Sequence, residues 1–312
     1  MRIRLTLKPA DKKAVLPINY NYYLTALIYR FIFSSSKDYS SFLHNEGYRT
    51  GQSKKGFKLF TYSMLNGKKY SVKADKIIFE DAEVAWEISS PVDIFLQHLI
   101  TGAFTQGQIV NLGNNQVGAR FLIEQVETAP RPNFKETMRF TCLSPITISR
   151  IYDKKTAAGK TYRNGFAAES NKSIDNDGDI FGSAAELGCH YIRPWEDGFS
   201  QAIEQNLIKK YRLIYGKELD GYIKNSGNFY ENKGISKFKI TIDNDYMNKK
   251  SGKITKKINF KNTEIIGFMA PFEVTGNPEL IEIGYEAGFG EKGSIGCGMV
   301  RERWIENTKP KE

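Results

Sequence analysis

Gly288-Phe289-Gly290-Glu291-Lys292-Gly293-Ser294-Ile295-Gly296-Cys297-Gly298-Met299-Val300 is the stretch on which the reading of this chain turns. Five glycines in eleven residues remove the side chains that keep a backbone away from a phosphodiester. They also permit positive-φ turns that point successive N–H groups one way. Leu280 to Tyr285 before it and Met299 to Trp304 after it read as strands, which makes this a glycine loop between strands. The pattern contains G-x-G-x-x-G, but a dinucleotide fingerprint needs a helix next, and Ser294 to Val300 is no helix former. Two readings stay: a plain structural hairpin, and a clamp on a nucleic-acid backbone formed by Gly288, Gly290, Gly293, Gly296 and Gly298 with Lys292 adding charge. The clamp is preferred.

Composition agrees with that preference. The 312 residues are enough for two domains, each with its own core. A formal charge of +10 points to an acidic partner, and 17 Tyr with 20 Phe supply rings on which bases could stack. The amino terminus, MRIRLTLKP, reads as a strand and not as a signal peptide. No apolar run is long enough to cross a bilayer, so no membrane partner is expected. Cys142, Cys189 and Cys297 are odd in number and far apart, which implies no disulfide framework and a cytoplasmic location. His44, His98 and His190 share no ligand spacing. Asp175, Asp177 and Asp179 resemble a calcium loop only until Gly178 is placed out of phase, so no metal or other cofactor is expected.

The first half alternates strands and helices. Arg2 to Leu7 alternates as a strand. Leu24, Leu27, Ile28, Phe31 and Ile32 then fall at helical spacing. Ser36 or Asp38 caps a second, short helix through Phe42 and Leu43, stopped by Gly47. Phe57 to Met64, Tyr70 to Phe79 and Ala82 to Ile88 read as strands, Pro91 opens a helix, and Gln108 to Leu112 and Arg120 to Val126 close the set. This order predicts an α+β fold built of ferredoxin-like domains. Residues 1–128 form the first, the proline-bearing 129–134 the linker, and 135–312 the second. The second carries an aperiodic insertion near 153–188, a long helix over Gly198 to Ile214, strands at Phe238 to Ile242, Ile254 to Phe260 and Ile265 to Glu273, and the glycine loop 288–298.

The glycine loop YEAGFGEKGSIGCGMV, the opening MRIRLTLKP with LPINYNYYLTALIYRFI, the segment FLHNEGY and the later FKLFTYSML together resemble the CRISPR-associated endoribonucleases of the Cas-six type, within the RAMP superfamily. The likeness covers residues 1 to 65 and about 260 to 302, and the middle by topology. It implies two tandem ferredoxin-like domains related to the RRM and a partner in CRISPR repeat RNA, both precursor and mature guide. It also implies a metal-independent cut in which the 2′-OH attacks the adjacent phosphate, leaving a 2′,3′-cyclic phosphate (or 3′-phosphate) and a 5′-OH. A homodimer and membership of an effector complex stay open. So does a non-catalytic subunit of the same superfamily that only holds guide RNA.

The family's catalytic set is a tyrosine, a histidine and a lysine. By position in LIY, FLH and KLFTYS the resemblance assigns them to Tyr29, His44 and Lys58. His44 falls near the end of a short helix, whose carboxyl end favours an imidazolium, the form a general acid needs. Tyr29 shares a helical stripe with Tyr22, Ala26 and Phe33, a pattern whose ordinary meaning is core. Arg49, Lys54 and Lys55 compete with Lys58 for the role of the cation beside the phosphate.

Overall fold

The computed structural model describes residues 1–49, 56–80, 83–153, 187–220, 222–225, 228–231 and 237–303. The first half runs β1 (Arg2–Pro9), β2 (Ala14–Pro17), α1 (Asn21–Ser35), α2 (Lys37–Asn45), β3 (Thr61–Tyr62), β4 (Tyr70–Lys73), β5 (Lys76–Phe79), β6 (Val84–Ser89), α3 (Asp93–Thr105), β7 (Ile109–Gly113) and β8 (Gly118–Thr128). An antiparallel sheet takes the order β3-β6-β1-β8-β7, while β2, β5 and β4 form a smaller one. Ile3, Leu5 and Leu7, the inward residues of β1, share one core with Leu24, Leu27, Ile28, Phe31 and Ile32 of α1 and with Phe95, Leu96 and Leu99 of α3. Period two in the strand and period 3.6 in the helices meet on a common buried face.

The second half runs β9 (Thr137–Cys142), β10 (Ser149–Asp153), β11 (Leu187–Tyr191), α4 (Phe199–Tyr215), β12 (Tyr222–Asn225), β13 (Asn228–Glu231), β14 (Lys239–Ile242), α5 (Asn244–Lys249), β15 (Thr255–Phe260), β16 (Thr263–Phe268), β17 (Phe272–Thr275), α6 (Pro278–Ala287) and β18 (Val300–Glu302). Its sheet is ordered β14-β17-β9-β18 and is antiparallel throughout. In both halves the first strand lies between the third and the last, and the second takes the edge, when β1, β3, β6 and β8 are matched to β9, β14, β17 and β18. Three hairpins, β10–β11, β12–β13 and β15–β16, are added to that frame. No helix among the described residues is long and apolar enough to cross a membrane.

Several expectations are corrected. Leu280 to Tyr285 is not a strand but the body of α6. Asn277 caps that helix by accepting from the Glu279 N–H at 2.8 Å, and Pro278 occupies its first turn. The glycine loop therefore joins a helix to a strand. Phe57 to Met64 shrinks to the two residues of β3, because Leu59 takes a left-handed φ of 52°. Tyr70 to Phe79 folds as the hairpin β4–β5 about Ala74, at φ 53°. Ile265 to Glu273 breaks before Pro271 into β16 and β17, which belong to different sheets. The stripe of Tyr22, Ala26, Tyr29 and Phe33 is core only in part: Tyr22 is 42% and Phe33 51% exposed, while Tyr29 is half-buried and packs against the core of the first half. Of the insertion near 153–188, β10 pairs with β11 at its two ends. Residues 154–186, with Asp175, Asp177 and Asp179, lie outside the described residues, as do Lys54, Lys55 and Trp304.

Two seams join the halves. One is ionic. Arg2, 3% exposed, donates to the carbonyls of Val300 at 2.8 Å and Tyr285 at 2.9 Å, and its guanidinium lies 3.8 Å from the Tyr285 ring centre. It also meets Glu87 at 3.4 Å, as do Arg4 at 2.9 Å and Arg301. Burial pushes the Glu87 carboxyl up, but Arg301, Arg4 and Arg2 more than offset it, and it ends below its usual range. The other seam is the glycine loop. A Cβ at Gly296 would collide with the Tyr62 ring, and one at Gly293 would lie 2.5 Å from the Phe60 carbonyl.

The two seams yield two tests. Gly296 and Gly252 both take positive φ (82° and 72°), but of the two only Gly296 lacks room for a methyl. Gly296→Ala is expected to cost about 1–3 kcal/mol more than Gly252→Ala in denaturant unfolding, the usual penalty of overpacking. Equal losses would mean that the seam yields freely. For Glu87, a folded pKa below the ordinary value gives stability that is full above about pH 4.3 and lost as the pH falls through the folded value. Glu87→Gln strands Arg2 and is expected to cost about 3–5 kcal/mol at neutral pH, with a flatter acid limb in the stability curve. An unchanged acid limb would show that Glu87 does not govern it.

Candidate active site

Two helices and one short segment converge here. Tyr29 comes from the third turn of α1. Ser36 then ends α1 in extended conformation and starts α2, its hydroxyl accepting from the Tyr39 N–H at 3.2 Å. This one residue sets the angle between the helices, so the last turn of α2 carries His44 back to Tyr29. Their rings meet edge to face with centres 5.6 Å apart. Phe60 stands on the other side of Tyr29, ring centres 6.4 Å apart, and stacks on Phe95 of α3 at 4.6 Å.

Lys58 arrives by a closed loop. Gly47, at φ 66°, turns the chain out of α2, and Tyr48 and Phe57 exchange N–H···O bonds at 2.8 Å in both directions. That pairing brings residue 58 beside the end of α2. The Lys58 ammonium donates to the His44 carbonyl at 2.6 Å and to the Leu43 carbonyl. Arg49 donates to the Glu46 carbonyl at 3.1 Å and the Asn45 carbonyl at 3.3 Å. Two cations thus cover the negative end of the helix dipole, and the imidazole they flank is exposed. With the proton on Nδ1, His44 donates to the Asn45 side-chain oxygen 2.9 Å away, which leaves Nε2 free to hold a second proton toward solvent. Asn45 was not singled out in the sequence, and its adjacency to His44 was the one available signal. The other histidines are placed differently: His98 bonds to the Ser35 hydroxyl at 2.9 Å, and His190 pairs with Glu196 at 2.6 Å.

The glycine loop lies beside this site and faces mainly inward. Gly288, Gly290, Gly296 and Gly298 are buried, and the space freed by their missing side chains is filled by this chain: Thr61 and Cys297 at Gly288, Thr147 at Gly290, Tyr62 and Asn21 at Gly296, Phe289 at Gly298. That packing explains the need for glycine without an RNA strand. Lys210 of α4, 4% exposed, adds an internal clasp by donating to the carbonyls of Gly288 at 2.6 Å, Gly290 at 2.8 Å and Ala287 at 3.3 Å. Burial pushes its ammonium down to about 7, and the charge of Glu291 works in the opposite sense. The half-exposed apex, Glu291 to Ile295, rests on α1: Asn21 donates to the Ile295 carbonyl at 3.2 Å and Thr25 to that of Ser294 at 3.3 Å. Of the loop residues singled out in the sequence, Lys292 and Gly293 alone belong to that apex.

The family described as "CRISPR associated protein Cas6, C-terminal" matches residues 128–302, and "CRISPR-associated protein Cas6, N-terminal" matches 15–127. The whole chain is 29% identical to CRISPR-associated endoribonuclease Cas6 1 of Methanocaldococcus jannaschii, over 96% of that protein. It is 26% identical to CRISPR-associated endoribonuclease Cas6 of Pyrococcus furiosus, also over all of this chain and 94% of that one. The solved structure of a Cas6-related protein from Pyrococcus furiosus has the same fold, with a TM-score of 0.69 and 20% identity over 99% of both chains. The chain belongs to the Cas6 family of CRISPR-associated proteins.

Proposed function

We propose that this chain is an endoribonuclease that cuts precursor CRISPR RNA within its repeats by metal-independent attack of a 2′-OH on the adjacent phosphate. The observation that carries the proposal is the meeting of Tyr29 and His44, with Lys58 fixed to the same helix end. Two relatives that align along the whole chain are named as CRISPR-associated endoribonucleases, which supports RNA cleavage as the activity. In this mechanism Tyr29 orients or deprotonates the 2′-OH, and His44 protonates the 5′ oxygen as its bond to phosphorus breaks. Lys58 or Arg49 offsets the charge that builds on the phosphorane. The products are a 2′,3′-cyclic phosphate (or 3′-phosphate) and a 5′-OH. The two halves are ferredoxin-like units of 1–128 and 135–312, a division supported by their common strand order. The loop's contact with RNA falls to Lys292 and Gly293 at its apex.

One observation favours a second reading, a subunit that holds guide RNA without cutting it. The Lys58 ammonium is already engaged by two carbonyls, as a purely structural helix cap would be. A cleavage assay on repeat RNA in EDTA separates the readings: product supports the endoribonuclease, and binding without product supports the holding subunit. Product that appears only when metal is added would overturn metal independence.

Two substitutions then test the roles. His44→Ala is expected to slow single-turnover cleavage by about 10²–10⁴-fold with little change in RNA affinity, because its side chain is exposed and supports no core. A near-normal rate would remove His44 from the mechanism. In the substrate, a 2′-deoxy nucleotide at the cut site is expected to abolish cleavage while binding persists. Cutting of that substrate would show water to be the nucleophile.

A further inference from the structure

Helix α1 buries Leu24, Leu27, Ile28, Phe31 and Ile32. At 100° per residue the opposite face reads Tyr22, Ala26, Tyr29 and Phe33, where a surface helix ordinarily carries polar residues. Here it carries rings. Tyr22 and Phe33 are exposed to solvent, and Tyr29 between them is half-buried against His44. The ridge spans about 16 Å at a 1.5 Å rise per residue.

The ridge is supported from below and charged at both ends. The Tyr22 ring stands edge-on to Tyr23 at 5.4 Å and to Phe260 at 5.7 Å, so its tilt is set by the tip of β15. Lys261 follows Phe260 directly, exposed in a tight turn at φ 53°. At the other end the Lys37 ammonium lies 5.6 Å from the Phe33 ring centre. Exposed aromatic rings flanked by cations are the surface on which single-stranded nucleic acid stacks its bases while its phosphates meet the charge. A protein partner has no such call on the lysines. The ridge is moreover continuous with the residues to which the proposed chemistry assigns the scissile phosphate.

We propose that the outward face of α1 is a stacking platform, with Tyr22 and Phe33 taking unpaired bases of the RNA on opposite sides of the scissile phosphate. The proposal rests on the endoribonuclease reading for the position of the strand. It implies that the nucleotides flanking the cut are splayed from their neighbours when bound, whatever the rest of the repeat does.

The test uses the full chain and repeat RNA carrying 2-aminopurine at each position flanking the cut in turn. Tyr22→Ala and Phe33→Ala are each expected to weaken RNA binding by about five- to a hundredfold, the range found for loss of one base–aromatic stack. Each should also relieve fluorescence quenching at a base on its own side of the cut. Tyr22→Phe and Phe33→Tyr are expected to restore both signals, and thermal unfolding should hold steady because both side chains are exposed. Wild-type affinity and quenching in both alanine variants would overturn the platform while leaving cleavage intact. A wild-type protein that binds and quenches but never cuts would overturn the catalytic reading instead. Loss of a concentration-dependent dimer in Phe33→Ala, with RNA binding unchanged, would assign the ridge to a second copy of the chain and refute the proposal.

Discussion

The packing of the glycine loop against the first half is the constraint on which the rest of the molecule depends. Strand β3 has only two residues, too few to hold its place by ladder bonds to β6 alone. It is held from the other side. The Thr61 hydroxyl donates to the Cys297 carbonyl at 2.7 Å, the Met64 N–H donates to the Leu143 carbonyl at 3.0 Å, and the Phe60 carbonyl lies against Gly293. Any side chain at Gly293 or Gly296 would push the loop off this surface. Lys58 and Phe60 are the residues immediately before that seam, so the cation beside His44 and the ring beside Tyr29 take their positions from the second half of the chain.

The ionic seam does related work at a higher energetic cost. Moving Arg2 and Glu87 out of water is unfavourable in itself, and burial does lower the Arg2 pKa. Two backbone carbonyls, a carboxylate and an aromatic face compensate it, drawn from three elements, β18, β6 and α6. An apolar replacement could fill the same volume but could not specify the same set of partners. The consequence is one register between β1, the end of α6 and β18. Since α6 leads directly into the glycine loop, the two seams are mechanically in series.

How much of this was legible in the sequence follows from the range of each interaction. Helices α1 and α2 could be read because their signals are local: Leu24, Leu27, Ile28, Phe31 and Ile32 at helical spacing, Ser36 as cap, Gly47 as stop. Helix α6 was missed because the apolar run of Leu280, Ile281, Ile283 and Tyr285 passes for a short buried strand, although Glu279, Glu282 and Glu286 fall at helical spacing. Asn277-Pro278 was the signal that should have decided it. The glycines were seen, but their reason was not. What excludes a side chain at Gly296 is Tyr62 and Asn21, more than 200 positions earlier, and no local pattern carries that information. Tyr29 and His44 came from family resemblance rather than from chemistry evident in their surroundings.

The position of Lys58 shows how such a site could stay charged and folded without substrate. A lysine left open beside an exposed histidine would be solvated and its side chain mobile, with an entropic cost to fix it later. Bonded to the carbonyls of Leu43 and His44, it is already ordered at the place where the proposed mechanism needs it. A phosphate offers the ammonium a full negative charge where the carbonyls offer only dipoles, so an arriving strand competes for it. Arg49 would stay on the neighbouring carbonyls of Asn45 and Glu46 when those of Leu43 and His44 are released. The left-handed Leu59 next to Lys58 is the backbone strain that accompanies this arrangement, and it is sustained by burial of the Leu59 side chain, 4% exposed.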